Sequence, residues 1–214
     1  MEKSEKTEKK IEKAYMRYVL THNHPPASVF LFMDDMQEEE VTFYQHYASF
    51  RAIEQEIWGR IIEDTLEKVK NEEIYEQYST REKLLSFYFT LIEELKKQRS
   101  FVVYSLKKGA DRSFRTPETL KVFKEKFMSF ANELSGLGIT SGELVDRPFI
   151  GDRYPEAMWV QLLFVLKFWI EDDSKEFEQT DTAIEKAVHL SFDLISNNVF
   201  DSAVDFVKFL IQKK

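Results

Sequence analysis

EEEVTFYQHYASFRAI, residues 38–53, decides how this chain folds. Three glutamates open it, aromatic residues follow at 43, 44 and 47, and Ser49 then stands before a long apolar-periodic run. Glutamate in a first turn favours the helix dipole. A serine before such a run is a helix N-cap, because its hydroxyl accepts from an otherwise orphan N–H. The stretch therefore predicts the end of one short helix, over about 38–46, and the start of a long one whose apolar face is Ile53, Ile57, Ile61 and Val69.

Upstream, Ile11, Ala14, Tyr15, Tyr18 and Val19 recur at helical spacing and define a first helix. HNHPP at 22–26 stops it, since proline lacks the N–H and constrains its predecessor. A further short helix is expected over 27–36. Downstream, Ser79 with Glu82 reads as a capping box before LLSFYFTLI (84–92), which is apolar nearly all round. Leu120, Phe123, Phe127, Phe130 and Leu134 make a narrow aromatic seam after the Thr116-Pro117 helix start. Gly136, Gly138, Gly142, Pro148 and Gly151 predict the longest loop, over 135–153. Tyr154-Pro155 opens a helix ending near Asp173, Thr180 or Asp181 opens another, and Asn198 caps a last one through Lys213. The expectation is an all-α chain of about 9–10 helices.

Composition narrows the function. With 214 residues, 43% hydrophobic, 19 Phe and 9 Tyr, the chain can build a large core. It has no cysteine, so disulfides, thiolate catalysis and cysteine-ligated zinc are excluded. The charged first thirteen residues do not read as a signal peptide, and no apolar run reaches the length of a membrane span, so a cytoplasmic location is expected. The net charge of −8 disfavours nonspecific attraction to nucleic acid. His22 and His24 lack a third ligand at a usual spacing, so no metal is expected. There is no Gly-rich phosphate loop, nucleophile elbow or triad, and no enzyme or cofactor is expected.

Residues 9–57 resemble the N-terminal helix-turn-helix domain of TetR-family transcriptional regulators. The resemblance rests on Ile11, Ala14, Val29, Phe32 and Met33, and above all on Thr42-Phe43-Tyr44-Gln45-His46-Tyr47, similar to the family's T-[LF]-Y-x-[HY]-F. Ser49, Ala52 and Ile53 continue it. It implies a three-helix, homeodomain-like bundle over 1–48, then a ligand-binding and dimerisation domain over 49–214, with 49–71 as the connecting helix. It further implies DNA contact by the segment of Thr42, Tyr44, Gln45 and His46, and apart from the resemblance the charged EKTEKKIEK start offers an arm whose Lys9 and Lys10 could grip the backbone. A small apolar or aromatic ligand would be enclosed by Phe87, Tyr88, Tyr104, Phe123, Phe127, Phe130 and Trp159. A homodimer would form through Leu162, Leu166, Trp169, Ile184, Val188, Ser191 and Ile195. The segment at 168–184, with W-x-x-D-x-S-x-x-F-x-x-T, also resembles TetR-fold lipid-binding proteins of ubiquinone biosynthesis.

The departures are in charge. The family's lysine after the serine is Phe50, and its turn glycine is Gln37. No Lys or Arg occurs between Arg17 and Arg51, where Asp34, Asp35, Glu38, Glu39 and Glu40 fall. Affinity for DNA derives largely from neutralised phosphates. Two functions therefore compete. One is a homodimeric regulator that binds operator DNA. The other is a TetR-fold ligand, lipid or protein-interaction protein whose acidic helix-turn-helix no longer does so.

Overall fold

The computed structural model describes residues 2–109, 116–147 and 151–196. Among them are nine α-helices and no strand: α1 (Glu2–His22), α2 (Val29–Asp35), α3 (Glu40–Tyr44), α4 (Phe50–Lys70), α5 (Thr80–Lys96), α6 (Arg99–Gly109), α7 (Lys121–Ser141), α8 (Tyr154–Glu171) and α9 (Glu178–Ser196). The all-α expectation holds. The helix expected from Asn198 through Lys213 lies outside the described residues. The chain forms two compact units, the first Met1–Asp64 with Leu91–Lys126, the second Thr65–Thr90 with Phe127–Lys214.

In the first unit, α1 buries Ile11, Tyr15 and Val19. It ends at Asn23, whose φ of 57° is the left-handed conformation that asparagine tolerates better than most residues. Ser28 caps α2, its hydroxyl accepting from the Leu31 N–H at 3.2 Å. Between α2 and α3, Gln37 takes φ 56°, so the turn keeps the left-handed geometry without glycine. Ser49 caps α4 as its position implies, accepting from the Ala52 N–H at 3.2 Å. Phe50 is the centre of an aromatic cluster. It stacks on Tyr15 with centroids 5.4 Å apart and interplanar angle 11°, and meets Phe32 and Phe43 edge-on at 5.4 Å each. On α4, the Trp58 indole N–H donates to the Ser105 hydroxyl at 3.1 Å, and its ring meets Phe123 edge-on.

In the second unit, α5 begins with the expected capping box. The Ser79 N–H donates to Glu82 at 2.8 Å, and the Glu82 N–H to the Ser79 hydroxyl at 3.2 Å. Glu143 adds a distant cap, accepting from the Thr80 N–H and hydroxyl at 3.0 and 3.1 Å. The 135–153 loop is a correction: α7 continues to Ser141, and the chain leaves it at Gly142, φ 81°. Gly138 serves packing inside the helix. A Cβ there would lie 2.6 Å from Leu144 Cγ, so only glycine lets Leu144 fold back against α7.

The corner between α8 and α9 is built on one carboxylate. Buried Asp172 accepts from the Ser174 N–H and hydroxyl at 2.8 and 2.6 Å, and from the Thr180 N–H and hydroxyl at 2.8 and 2.6 Å. Thr180 thus sits within the first turn of α9, with Asp172 as the acceptor that serves it. Inside this corner Glu176 and Phe177 both have positive φ, 56° and 65°. Such conformations cost roughly 1–2 kcal/mol each outside glycine. The Asp172 hydrogen bonds offset that strain.

Candidate functional site

On α3, Phe43 faces inward while Tyr44 is exposed and Thr42 half-buried; just beyond its end, Gln45 is exposed and His46 half-buried. Lys9 and Lys10 on α1 are both exposed. Lys10 is bound to the acidic segment, its ammonium 2.6 Å from a Glu38 carboxylate oxygen. Asp34, Asp35, Glu39 and Glu40 are exposed on the same pair of short helices.

This surface is held by buried polar contacts that the periodicity did not reveal. Tyr47, just after α3, donates to Glu12 of α1 at 2.7 Å, and Glu12 also pairs with Arg60 of α4. Tyr15 donates to Glu54 at 2.5 Å. Both carboxylates are buried. Burial, and then the hydrogen bond to its carboxylate, pushes each phenol well above the usual tyrosine range, so both remain protonated donors. Burial works against a charged Arg60, but the contact with Glu12 outweighs it and raises its pKa. These contacts join residues 35 and 39 positions apart, which locks α1 against α4 and the end of α3.

The structure also exposes apolar side chains there: Phe30 at 59%, Leu31 at 52%, Val41 at 56% and Tyr44 at 55%. A sequence signal existed. VFLFM (29–33) puts five apolar residues in a row on a seven-residue helix, and they cannot all face inward.

The ligand-wall residues fall in two places. Phe87, Tyr88, Phe127, Phe130 and Trp159 lie buried in the second unit, and Phe123 and the half-buried Tyr104 lie in the first. The former pack ring on ring, with Phe87–Phe130 stacked at 4.9 Å, Phe87–Phe127 at 5.5 Å and Phe127–Trp159 at 5.7 Å. The Tyr88 hydroxyl donates to Gln161 at 3.0 Å. A shallow recess of about 420 Å³ in the second unit is lined by Ser79, Arg81, Gly142, Glu143 and Phe192. Its arginine is already engaged by Asp193 at 3.1 Å and lies over the Phe192 ring.

Of the residues expected at a dimer face, Leu162, Leu166, Trp169, Ile184 and Val188 are buried within the chain. Half-buried Ser191 accepts from the Gln161 amide at 3.0 Å, and the Ile195 carbonyl accepts from Arg147. The apolar side chains left exposed on these helices are Val160 and Phe164 on α8 and Leu190 and Leu194 on α9, each pair one turn apart. The exposed His189 lies 3.2 Å from Arg81 through Nδ1. His22 and His24 have ring centroids 6.0 Å apart, and each Nδ1 lies near a backbone carbonyl. Among the described residues no group of three or more His, Asp or Glu is placed to hold a metal, and no helix is long and apolar enough to cross a membrane.

A family model described as tetracyclin repressor-like, C-terminal domain, matches residues 83–210, more than half of the chain. The chain belongs to the tetracycline repressor-like family. Its regulators are generally non-enzymatic. Comparison with curated proteins gives no match. The matched range covers α5–α9 and leaves the helix-turn-helix resemblance resting on its own residues. Against that resemblance, Phe50 acquires a positive reason. Where the resemblance places a lysine that reaches for phosphate, this tetracycline repressor-like chain has the ring around which Tyr15, Phe32 and Phe43 assemble.

Proposed function

We propose that this chain is a homodimeric regulator of the tetracycline repressor-like family whose N-terminal helices act through a protein partner in place of operator DNA. The observation that carries this reading is the Lys10–Glu38 ion pair beside the exposed Asp34, Asp35, Glu39 and Glu40. A duplex against α3 would meet these carboxylates with no cation from residues 18–50 to offset them. The nearby arm lysine already has an anionic partner.

The dimer belongs to α8 and α9, through the exposed Val160, Phe164, Leu190 and Leu194. Two copies of that helix pair would make a four-helix bundle. A small apolar ligand at the Phe87, Phe127, Phe130 and Trp159 cluster would have to part rings that pack on one another.

A second reading, operator binding, is favoured by the exposure of Tyr44 and Gln45 at the C-terminal end of α3. One experiment separates the two. DNA fragments flanking the chain's own gene are titrated at low salt with the wild type and with Tyr44→Ala. The proposal expects no saturable retardation by either protein. Saturable binding that weakens with salt and is lost in Tyr44→Ala establishes the operator reading and removes the first.

A further inference from the structure

The exposed side chains of α2 and α3 alternate by chemistry. Along α2, Phe30 is followed one turn later by Asp34, and Leu31 by Asp35; along α3, Glu40 precedes Tyr44 by one turn, beside Val41. The two helices pack together. At about 200 Å² for a fully exposed large side chain, the four apolar residues present roughly 400 Å². A surface patch of that size on a monomer commonly marks a binding site.

From this juxtaposition of half-exposed apolar side chains and one-sign charge, we infer that α2 and α3 form a docking surface for a short basic amphipathic segment of a partner protein. The inference rests on the protein-contact reading above. Charge selects the occupant. A second copy of this surface would bring the four exposed carboxylates of Asp34, Asp35, Glu39 and Glu40 against four, and nucleic acid or an anionic membrane is repelled in the same way. Size selects it further, because a stable interface between globular partners buries about 800 Å² on each side. Half that area suits one or two turns of helix, with apolar residues at i, i+3 and i+4 reaching Phe30, Leu31, Val41 and Tyr44. Lysine or arginine beside them would meet Asp34, Asp35, Glu39 and Glu40.

The test uses the full chain and two labelled peptides of about 14 residues, each with leucines at i, i+3, i+4 and i+7, one filled with lysine and the other with glutamate. Fluorescence anisotropy is expected to show saturable binding of the lysine peptide alone, weakening as salt rises. Phe30→Ser and Val41→Ser, both at exposed positions, each raise Kd about tenfold with unchanged thermal melting. Asp34→Asn with Asp35→Asn flattens the salt dependence. Binding of the lysine peptide that ignores Phe30→Ser and Val41→Ser overturns the inference, as does equal binding of both peptides or of neither. These outcomes leave the parent reading standing, which falls only if the promoter fragments are bound.

Discussion

Two surfaces of this chain expose large apolar side chains, and their charge sets them apart. Around Phe30, Leu31, Val41 and Tyr44 the exposed charges of α2 and α3 are all acidic, and Lys10 of α1 reaches them only as the partner of Glu38. Around Val160, Phe164, Leu190 and Leu194 the same helices carry both signs, with Lys167 and Lys186 beside Glu171 and Glu185. A mixed surface can be covered by a copy of itself, because each cation can find an anion across a twofold axis. A one-sign surface cannot. If both surfaces are covered as proposed, the charge around each selects self for one and another protein for the other.

The largest expected effect attacks the mixed surface. Phe164→Glu with Leu190→Glu would bury carboxylates in the proposed bundle. The dimer dissociation constant should rise more than about 100-fold, read by sedimentation equilibrium. Unchanged association would place the dimer elsewhere.

Next comes the corner on which that bundle depends. Asp172→Ala removes four hydrogen bonds at once. It should cost about 3 kcal/mol, a fall of roughly 6–12 °C in Tm for a chain of this length. The same group gives a pH dependence. Burial opposes the charged form, yet hydrogen bonds from Ser174 and Thr180 hold Asp172 at about 2, below the usual aspartate range. Its contribution is therefore complete above the unfolded value and lost as pH falls from about 4 towards 2. Melting curves of wild type and Asp172→Asn should converge in that range. Parallel curves would show that the carboxylate does not act through its charge.

The smallest expected effect concerns the acidic surface. Phe50→Lys restores the residue that the family resemblance implies, at a position packed against three rings. It should destabilise the chain by about 2 kcal/mol without producing retardation of promoter DNA. Gain of DNA binding would show that one cation, and not the acidic field, had been missing.

Much of the architecture was legible because periodicity and capping are local. Ser49, Ser79 and Glu82 stand where their hydroxyl and carboxylate chemistry places them. What failed was non-local. Gly138 read as a loop residue, and only the return of Leu144 explains a glycine inside α7. Phe50 read as a missing charge, because three of its ring partners come from other helices. On α8 and α9 the apolar period marks the face richest in large side chains. That face packs within the chain, as Leu162, Leu166, Ile184 and Val188 do. A second, sparser stripe at Val160, Phe164, Leu190 and Leu194 stays hidden behind the first in any one-period reading. The Glu12 and Glu54 contacts had no signal, since a helical glutamate looks the same whether it meets water or a distant tyrosine.

Phe50 also has a consequence for any attempt to restore the charge. At the position where the resemblance places a phosphate-seeking lysine, the ring joins three aromatic neighbours into a shared cluster. A single substitution by lysine then removes the centre of that cluster before any contact with DNA is made. The position is therefore guarded by its neighbours: a cation there must first give up Tyr15, Phe32 and Phe43.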